Sequence, residues 1–282
     1  MVSSKIQELK QQLRIRLGRF VAIDSKRHHP HLYSALEKIR GTKKPTYLCG
    51  GTVRDLLLCS SHTPRDLDII FGYVSREELA TLFSGDVKGE TGLGGLKLEV
   101  RDWSIDMWPL QDTWAFKENK ISGKGFSDYP KTTFLDVDAV AIELFSTRKQ
   151  KRKIYSEGFF EAISSKTIEL NFEGNPAPAK CIVRALQMAR KFNFAIGPKL
   201  ARYMASYVRR MEIEELAQIY QHRYMSARVT AEGLHNCMKN IETQLQTSSK
   251  SPVKVFAGQN GDFVERDSNL SESYGDLFAV TE

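Results

Sequence analysis

A chain of 282 residues with 41% hydrophobic side chains can hold one or two domains around a sizeable core. It has no apolar run of about 18 residues, which argues against a membrane-spanning helix, and the stretch from Met1 to Lys10 lacks the apolar centre of a secretory signal. A formal charge of +7 is compatible with a polyanionic partner, and four dispersed cysteines without paired metal spacing suit a reducing cytoplasm.

In chain order, apolar residues at helical spacing (Ile6, Leu9, Leu13, Leu17, Phe20) predict a helix over Lys5 to Ile23, and Leu32, Leu36 and Ile39 a second over His31 to Arg40. His28-His29 before Pro30 reads as a loop rather than a ligand pair. These N-terminal helices occupy residues 1–44. From Tyr47 to about Leu170, strand signals alternate with helices, including a helix over Ser75 to Phe83 and a strand over Ala139 to Phe145, so residues 45–174 form a mixed α/β body. Gln111 to Tyr129 reads as a helix plus an excursion. Trp103, Trp108 and Trp114 are core candidates.

Arg148 to Lys153 is a basic run that either meets RNA phosphates or solvates a hairpin tip. After Asn175-Pro176-Ala177-Pro178 the pattern turns helical through residues 175–246. Ile182, Leu186, Ala189 and Phe192 make an apolar stripe there. The Ser-rich stretch 247–282 is expected to be a flexible tail. The fold class is α+β.

The chemistry concentrates in two neighbouring motifs. Gly50-Gly51 follows the apolar run Tyr47-Leu48-Cys49 and precedes a helix start at Thr52-Val53-Arg54-Asp55; glycine lets a backbone approach a triphosphate, and helix N-termini favour anions. In Arg65-Asp66-Leu67-Asp68-Ile69-Ile70-Phe71, a strand of period two puts Asp66 and Asp68 on one face. Two hard carboxylates there suit Mg²⁺, which keeps several waters and takes further ligands from nucleotide phosphates. Arg54 either binds phosphate or pairs with Asp66, and Arg65 lies at the site edge or in solvent.

This passage, Gly-Gly-x-Val-Arg-Asp-x-Leu-Leu followed by Asp-x-Asp, resembles the head domain of class II CCA-adding enzymes and bacterial poly(A) polymerases. Thr91 to Val100 resembles the glycine-containing hairpin of that family, and Lys180 to Phe194 its first neck helix. The resemblance implies a polymerase-beta-like nucleotidyltransferase head with a helical neck, and a third carboxylate on a neighbouring strand. Asp106 in Trp103-Ser104-Ile105-Asp106-Met107 ranks ahead of Glu99 and Asp102 for that place. It further implies two Mg²⁺ held by Asp66, Asp68 and Asp106, and a nucleoside triphosphate beside Gly50, Gly51, Arg54, Asp55, Arg65, Asp138 and Arg184, with Arg54 and Asp55 either beside that triphosphate or bracing the turn.

The chain departs from the family in ways that bear on its task. Where the family carries Arg-Arg-Asp-Phe-Thr-Ile-Asn-Ala, this sequence reads Thr132-Thr133-Phe134-Leu135-Asp136-Val137-Asp138-Ala139. Arginine positions of the neck helix fall near Cys181 and at Gln187, and Glu212, Glu214, Glu215 and Arg223 substitute only loosely for the base-selecting Glu-Asp-x-x-Arg. The expected activity is template-independent, Mg²⁺-dependent transfer of a nucleoside monophosphate to a hydroxyl, an RNA 3′ end first. The alternatives are a protein or signalling-nucleotide acceptor, or a weakened scaffold that binds RNA or nucleotide.

Overall fold

The computed structural model describes residues 2–58, 66–146, 151–224, 228–255 and 264–265, and its chain separates into two compact units, Met1–Ser164 and Ser165–Glu282. Among the described residues no helix is long and apolar enough to cross a membrane.

The first unit opens with α1 (Val2–Arg19), which continues through a π-helical turn (Phe20–Asp24) into the short α2 (Ser25–His28). His28 is therefore helical, and the expected loop shrinks to His29, whose ring lies edge-on to Trp103 at 5.1 Å. Pro30 then starts α3 (Pro30–Gly41), because its fixed φ and missing N–H suit a first helical turn.

A mixed sheet of seven strands follows: β1 (Thr46–Cys49), β2 (Asp66–Phe71), β3 (Val87–Glu90), β4 (Leu96–Val100), β5 (Trp103–Pro109), β6 (Val140–Glu143) and β7 (Ile154–Ser156). Their order is β3-β4-β5-β2-β1-β6-β7. Strands β2 and β5 pair in parallel; the other neighbours are antiparallel. Helix α4 (Gly50–Leu58) begins directly at the end of β1, and α5 (Arg76–Leu82) is capped by Ser75, whose hydroxyl accepts from the Glu78 N–H.

Alternation sorts the sheet into two faces. Leu67, Ile69, Phe71, Ile105 and Met107 are buried on one. The other carries Asp66, Asp68, Ser104 and Asp106, and continues into an apolar cluster of Tyr47, Cys49, Ile70 and Ala141. Ile121, Phe126 and Tyr129 pack onto that cluster, with Phe126 stacked on Tyr47 at 4.1 Å. The excursion after β5, which includes α6 (Trp114–Lys117), is thus a cover for the same face that bears the acids. Of the tryptophans, Trp103 is buried, while Trp108 and Trp114 are half-buried.

The second unit gathers around α8 (Pro178–Phe192), preceded by α7 (Phe159–Ser165), which straddles the division, and β8 (Thr167–Ile168). The apolar stripe expected on α8 is buried at Ile182, Leu186 and Ala189, and Asn193 closes the helix in the left-handed region. Next come β9 (Ala195–Ile196), α9 (Pro198–Val208), α10 (Ile213–Arg223), β10 (Arg228–Val229) and α11 (Ala231–Thr247); β11 (Val264–Glu265) pairs with β10. Immediately after α11 the chain turns back, bridging Val253 to Ile196 and burying Val253 and Val255, so this part of the expected tail is packed. Apart from β11, residues 256–282 lie outside the described residues.

Helix α1 is fixed to α4 by one polar contact. Arg16 Nη1 donates to the carbonyls of Leu56 and Leu57 at 2.8 and 2.9 Å, meeting the unsatisfied C=O groups at a helix C-terminus with a cation. Arg16→Ala is expected to destabilise the protein by about 1 kcal/mol, lowering its melting temperature by roughly 2–4 °C in a thermal scan.

Candidate functional site

The site begins where β1 becomes α4. Gly50 has φ +64°, a left-handed conformation, and a Cβ there would stand 3.2 Å from Asp68 Oδ2. Glycine is needed both for the turn and for the approach of the carboxylate. Thr52, buried in the first turn of α4, donates its hydroxyl to the Asp66 backbone carbonyl, tying the helix start to the strand that carries the acids.

Register then sets the row of side chains across the sheet. Asp68 lies opposite Cys49 of β1 on one side and opposite Asp106 of β5 on the other, and Asp106 lies opposite Lys97 of β4. Directly paired residues point to the same face about 5 Å apart, so the order is Lys97, Asp106, Asp68, Cys49. Asp66 is two residues along β2 on that face, beside Ser104. Glu99, exposed on β4, shares the face and lies opposite Ser104, in line with Asp66 and not with Asp68 and Asp106, while Asp102 lies in the turn between β4 and β5.

The Asp106 carboxyl is strongly perturbed. Burial first, and then the charge of Asp66, raise its pKa from 3.8 to about 6, against the opposing effects of Lys97 and a hydrogen bond with Ser104. Its Oδ1 is buried and accepts no hydrogen bond. Beside Asp68, the Tyr129 hydroxyl from the covering segment is hydrogen-bonded with the Cys49 thiol; burial pushes both groups well above their ordinary pKa values, and Asp68 adds to each shift. Cys49, Lys97, Ser104 and Tyr129 were not among the residues expected at the site. Ser104 was readable from its two-residue spacing to Asp106; the others depend on which strands pair.

The donor chemistry fits Mg²⁺: hard carboxylate oxygens in one row, one of them a buried acceptor without a donor. Among the described residues, no group of three or more His, Cys, Asp or Glu side chains could by itself hold a metal ion. Mg²⁺ is commonly held by one or two carboxylates together with substrate phosphates, and Asp68 with Asp106 meets that lesser requirement.

Arg54 sits on α4 with its side chain only 5% exposed. Its Nη2 lies 2.7 Å from Asp55 Oδ1 and its Nη1 2.6 Å from Asp138 Oδ1. Among the alternatives for Arg54, contact with the triphosphate, bracing of the turn and pairing with Asp66, its contacts with Asp55 and Asp138 are those of a brace. It also accounts for an acid at 138, since Asp138 closes an ion pair from the turn Asp136–Asp138 to α4. Arg65 lies outside the described residues. Arg184 lies on α8 of the second unit, half-buried, and Gln187 nearby is buried, its Oε1 accepting from the Tyr220 hydroxyl. Glu214, Glu215 and Arg223 are exposed on α10, a solvated face with acids in the first turn and bases in the last. Of the basic run, residues 148–150 are outside the described residues, and Arg152 is turned inward, its carbonyl accepting from Arg14.

No protein-family model matches this chain, and no curated protein matches it. Solved structures similar to it include a CCA-adding enzyme in complex with CTP (TM-score 0.47, 18% identity, covering 77% of this chain and 60% of that one). An apo form of a CCA-adding enzyme gives TM-score 0.48, 16% identity and coverage of 80% and 61%. The Thermotoga maritima CCA-adding enzyme complexed with tRNA gives TM-score 0.43, 17% identity and coverage of 76% and 58%. The chain spans about 60% of the length of the first of these structures.

Two outcomes follow from the electrostatics. Because the Asp106 pKa is higher in the folded chain than its ordinary 3.8, its ionisation opposes folding; the penalty is absent below about pH 4 and complete above about pH 6. Asp106→Asn should therefore raise the unfolding free energy near pH 7.5 in metal-free buffer, by on the order of 1–2 kcal/mol after allowing for solvent screening, with the gain vanishing towards pH 4. A gain that persisted at pH 4 would refute this account. Arg54→Ala, which strands Asp138, should cost roughly 3–5 kcal/mol in urea unfolding, and Asp138→Asn in the Arg54→Ala background should recover part of it.

Proposed function

We propose that the first unit is a nucleotidyltransferase that moves a nucleoside monophosphate from a triphosphate to a hydroxyl acceptor without a template, and that the acceptor is an RNA 3′ end. The observation that carries this reading is the in-register pair Asp68 and Asp106 on adjacent parallel strands, with Gly50 closed against Asp68 at the start of a helix.

The residues divide the work. The first turn of α4, from Gly50 and Gly51, offers backbone N–H groups and the positive end of a helix dipole to the phosphates. Thr52 keeps that turn at a fixed distance from β2, and Arg54, braced by Asp55 and Asp138, holds α4 in place from behind. Asp68 and Asp106, with Asp66 at the strand end, hold Mg²⁺. The metal, when bound, acidifies the acceptor hydroxyl and neutralises charge on the departing pyrophosphate. The acceptor hydroxyl gives up its proton to solvent and its oxygen attacks the α-phosphorus; that P–O bond forms as the bond to the β-phosphate bridge breaks, and pyrophosphate leaves with the electron pair.

An RNA acceptor is supported by the second unit. On α9, Lys199, Arg202, Tyr203 and Ser206 line a groove, and the Tyr203 and Tyr207 rings lie 15° from parallel at 6.3 Å. Cations and aromatic faces at helical spacing are the combination that holds single-stranded nucleic acid. One observation favours the scaffold alternative: Arg54 has its charge engaged by two carboxylates of the fold.

Incubation of the protein with each labelled nucleoside triphosphate, Mg²⁺ and total RNA decides between them. Labelled RNA is expected with the native chain, and Asp68→Ala should reduce labelling by at least about 100-fold while its circular dichroism is unchanged. Equal labelling by Asp68→Ala would sink the metal-assisted mechanism; nucleotide binding without any labelled acceptor would establish the scaffold.

A further inference from the structure

On the carboxylate face, Lys97 holds a position that no expectation assigned. It lies on β4 between the buried Leu96 and Leu98, is itself half-buried, and is paired in register with Asp106. Opposite charges on directly paired strand positions usually close an ion pair. Here they do not: Lys97 forms no ion pair or hydrogen bond among the described residues, and Asp106 Oδ1 accepts none. The ammonium acts on Asp106 through the field alone, lowering the carboxyl pKa against the effect of burial.

The charge balance of the row makes this cation consequential. Asp66, Asp68 and Asp106 present three acids to a substrate that is itself a polyanion, the exposed Glu99 adds a fourth on the same face, and Arg54 is engaged by Asp55 and Asp138. The segment Thr132 to Leu135 carries no arginine. Lys97 stands at the outer end of the row, separated from Gly50 by Asp106 and Asp68, so the carboxylates lie between a cation and a helix N-terminus. A lysine is suited to this as a compact charge with three donors on a flexible stem.

We propose that Lys97 is a phosphate-binding cation of this site, reaching past Asp106 to the β- and γ-phosphates of the nucleoside triphosphate and neutralising the pyrophosphate as its bond to the α-phosphorus breaks. This rests on the nucleotidyltransferase reading and adds to it a residue with a defined task. Because Lys97 has no hydrogen bond or ion pair to lose among the described residues, and acts in the fold only through its field on Asp106, its substitution affects the ligand more than the protein.

The test uses the full chain, non-transferable α,β-methylene analogues of ATP and CTP with Mg²⁺, and titration calorimetry. Lys97→Met is expected to weaken binding by about 10-fold or more, the usual effect of removing a charge-assisted contact, and Lys97→Arg to restore most of it. Binding of the free nucleosides should not change. In turnover with labelled triphosphates, Lys97→Met should raise KM for the triphosphate, with inhibition by added pyrophosphate weakened in parallel. Should Lys97→Met fold poorly, Lys97→Gln serves the same comparison. Native protein that binds neither analogue would overturn the nucleotidyltransferase reading and this inference with it. Native binding that Lys97→Met leaves intact, or that Lys97→Arg fails to restore, would overturn the role of Lys97 alone.

Discussion

The site depends on one constraint, the parallel pairing of β2 with β5. Antiparallel neighbours can be joined by a tight turn, but parallel ones require a crossover, which here consists of α5, β3 and β4. That detour brings an acid from beyond residue 100 level with one from before residue 70, and its returning strand β4 brings Lys97 level with both. A register slip of one residue in β5 would put Ile105 or Met107 into the row and turn Asp106 into the apolar layer. The buried set Leu67, Ile69, Ile105 and Met107 on the opposite face prevents that slip. Packing on the hidden side of the sheet therefore fixes the chemistry on the other.

Gathering acids in this way opposes folding, and the structure shows the consequence in Asp106, whose carboxyl is pushed up to about 6. The stabilising contacts lie at the margins: Arg54 between Asp55 and Asp138, Thr52 on the Asp66 carbonyl, Arg16 on the end of α4. All three act on α4, so the helix that follows the glycine turn is held at its start, middle and end. A buried ion pair is a poor source of net stability but costs much when one partner is lost, which makes Arg54 and Asp138 a geometric device more than an adhesive one.

Much of this was legible in the sequence because the informative signals are local. Period two put Asp66 and Asp68 on one face, Gly50-Gly51 marked the turn into a helix, and Ile182, Leu186 and Ala189 marked the packed stripe of α8. What was not legible depended on pairing between distant segments. Nothing in the motif of Lys97 shows that β4 lies beside β5 in the register that faces it with Asp106. The sequence around Arg54 looks like a phosphate contact, and only the placement of the turn Asp136–Asp138 shows where its guanidinium is held. The segment from Gln111 to Tyr129 has mixed lysines, glycines and aromatics with no period, so its role as a cover emerges only when Phe126 is seen on Tyr47 and Tyr129 on Cys49.

That cover reaches the carboxylate row at Cys49, the position next to Asp68. It packs on the apolar end of the face, over Tyr47, Ile70 and Ala141, which would otherwise meet water. A charged row with one end roofed by aromatic residues excludes water from one side of Asp68, and fixed charges act more strongly where water is excluded. Lys97 and Asp106, both half-buried, occupy the other end of the row. The departure at Thr132 to Asp138 belongs to the same arrangement: the segment that follows the cover carries no arginine and supplies Asp138 to Arg54, bracing α4 from the side of the turn Asp136–Asp138.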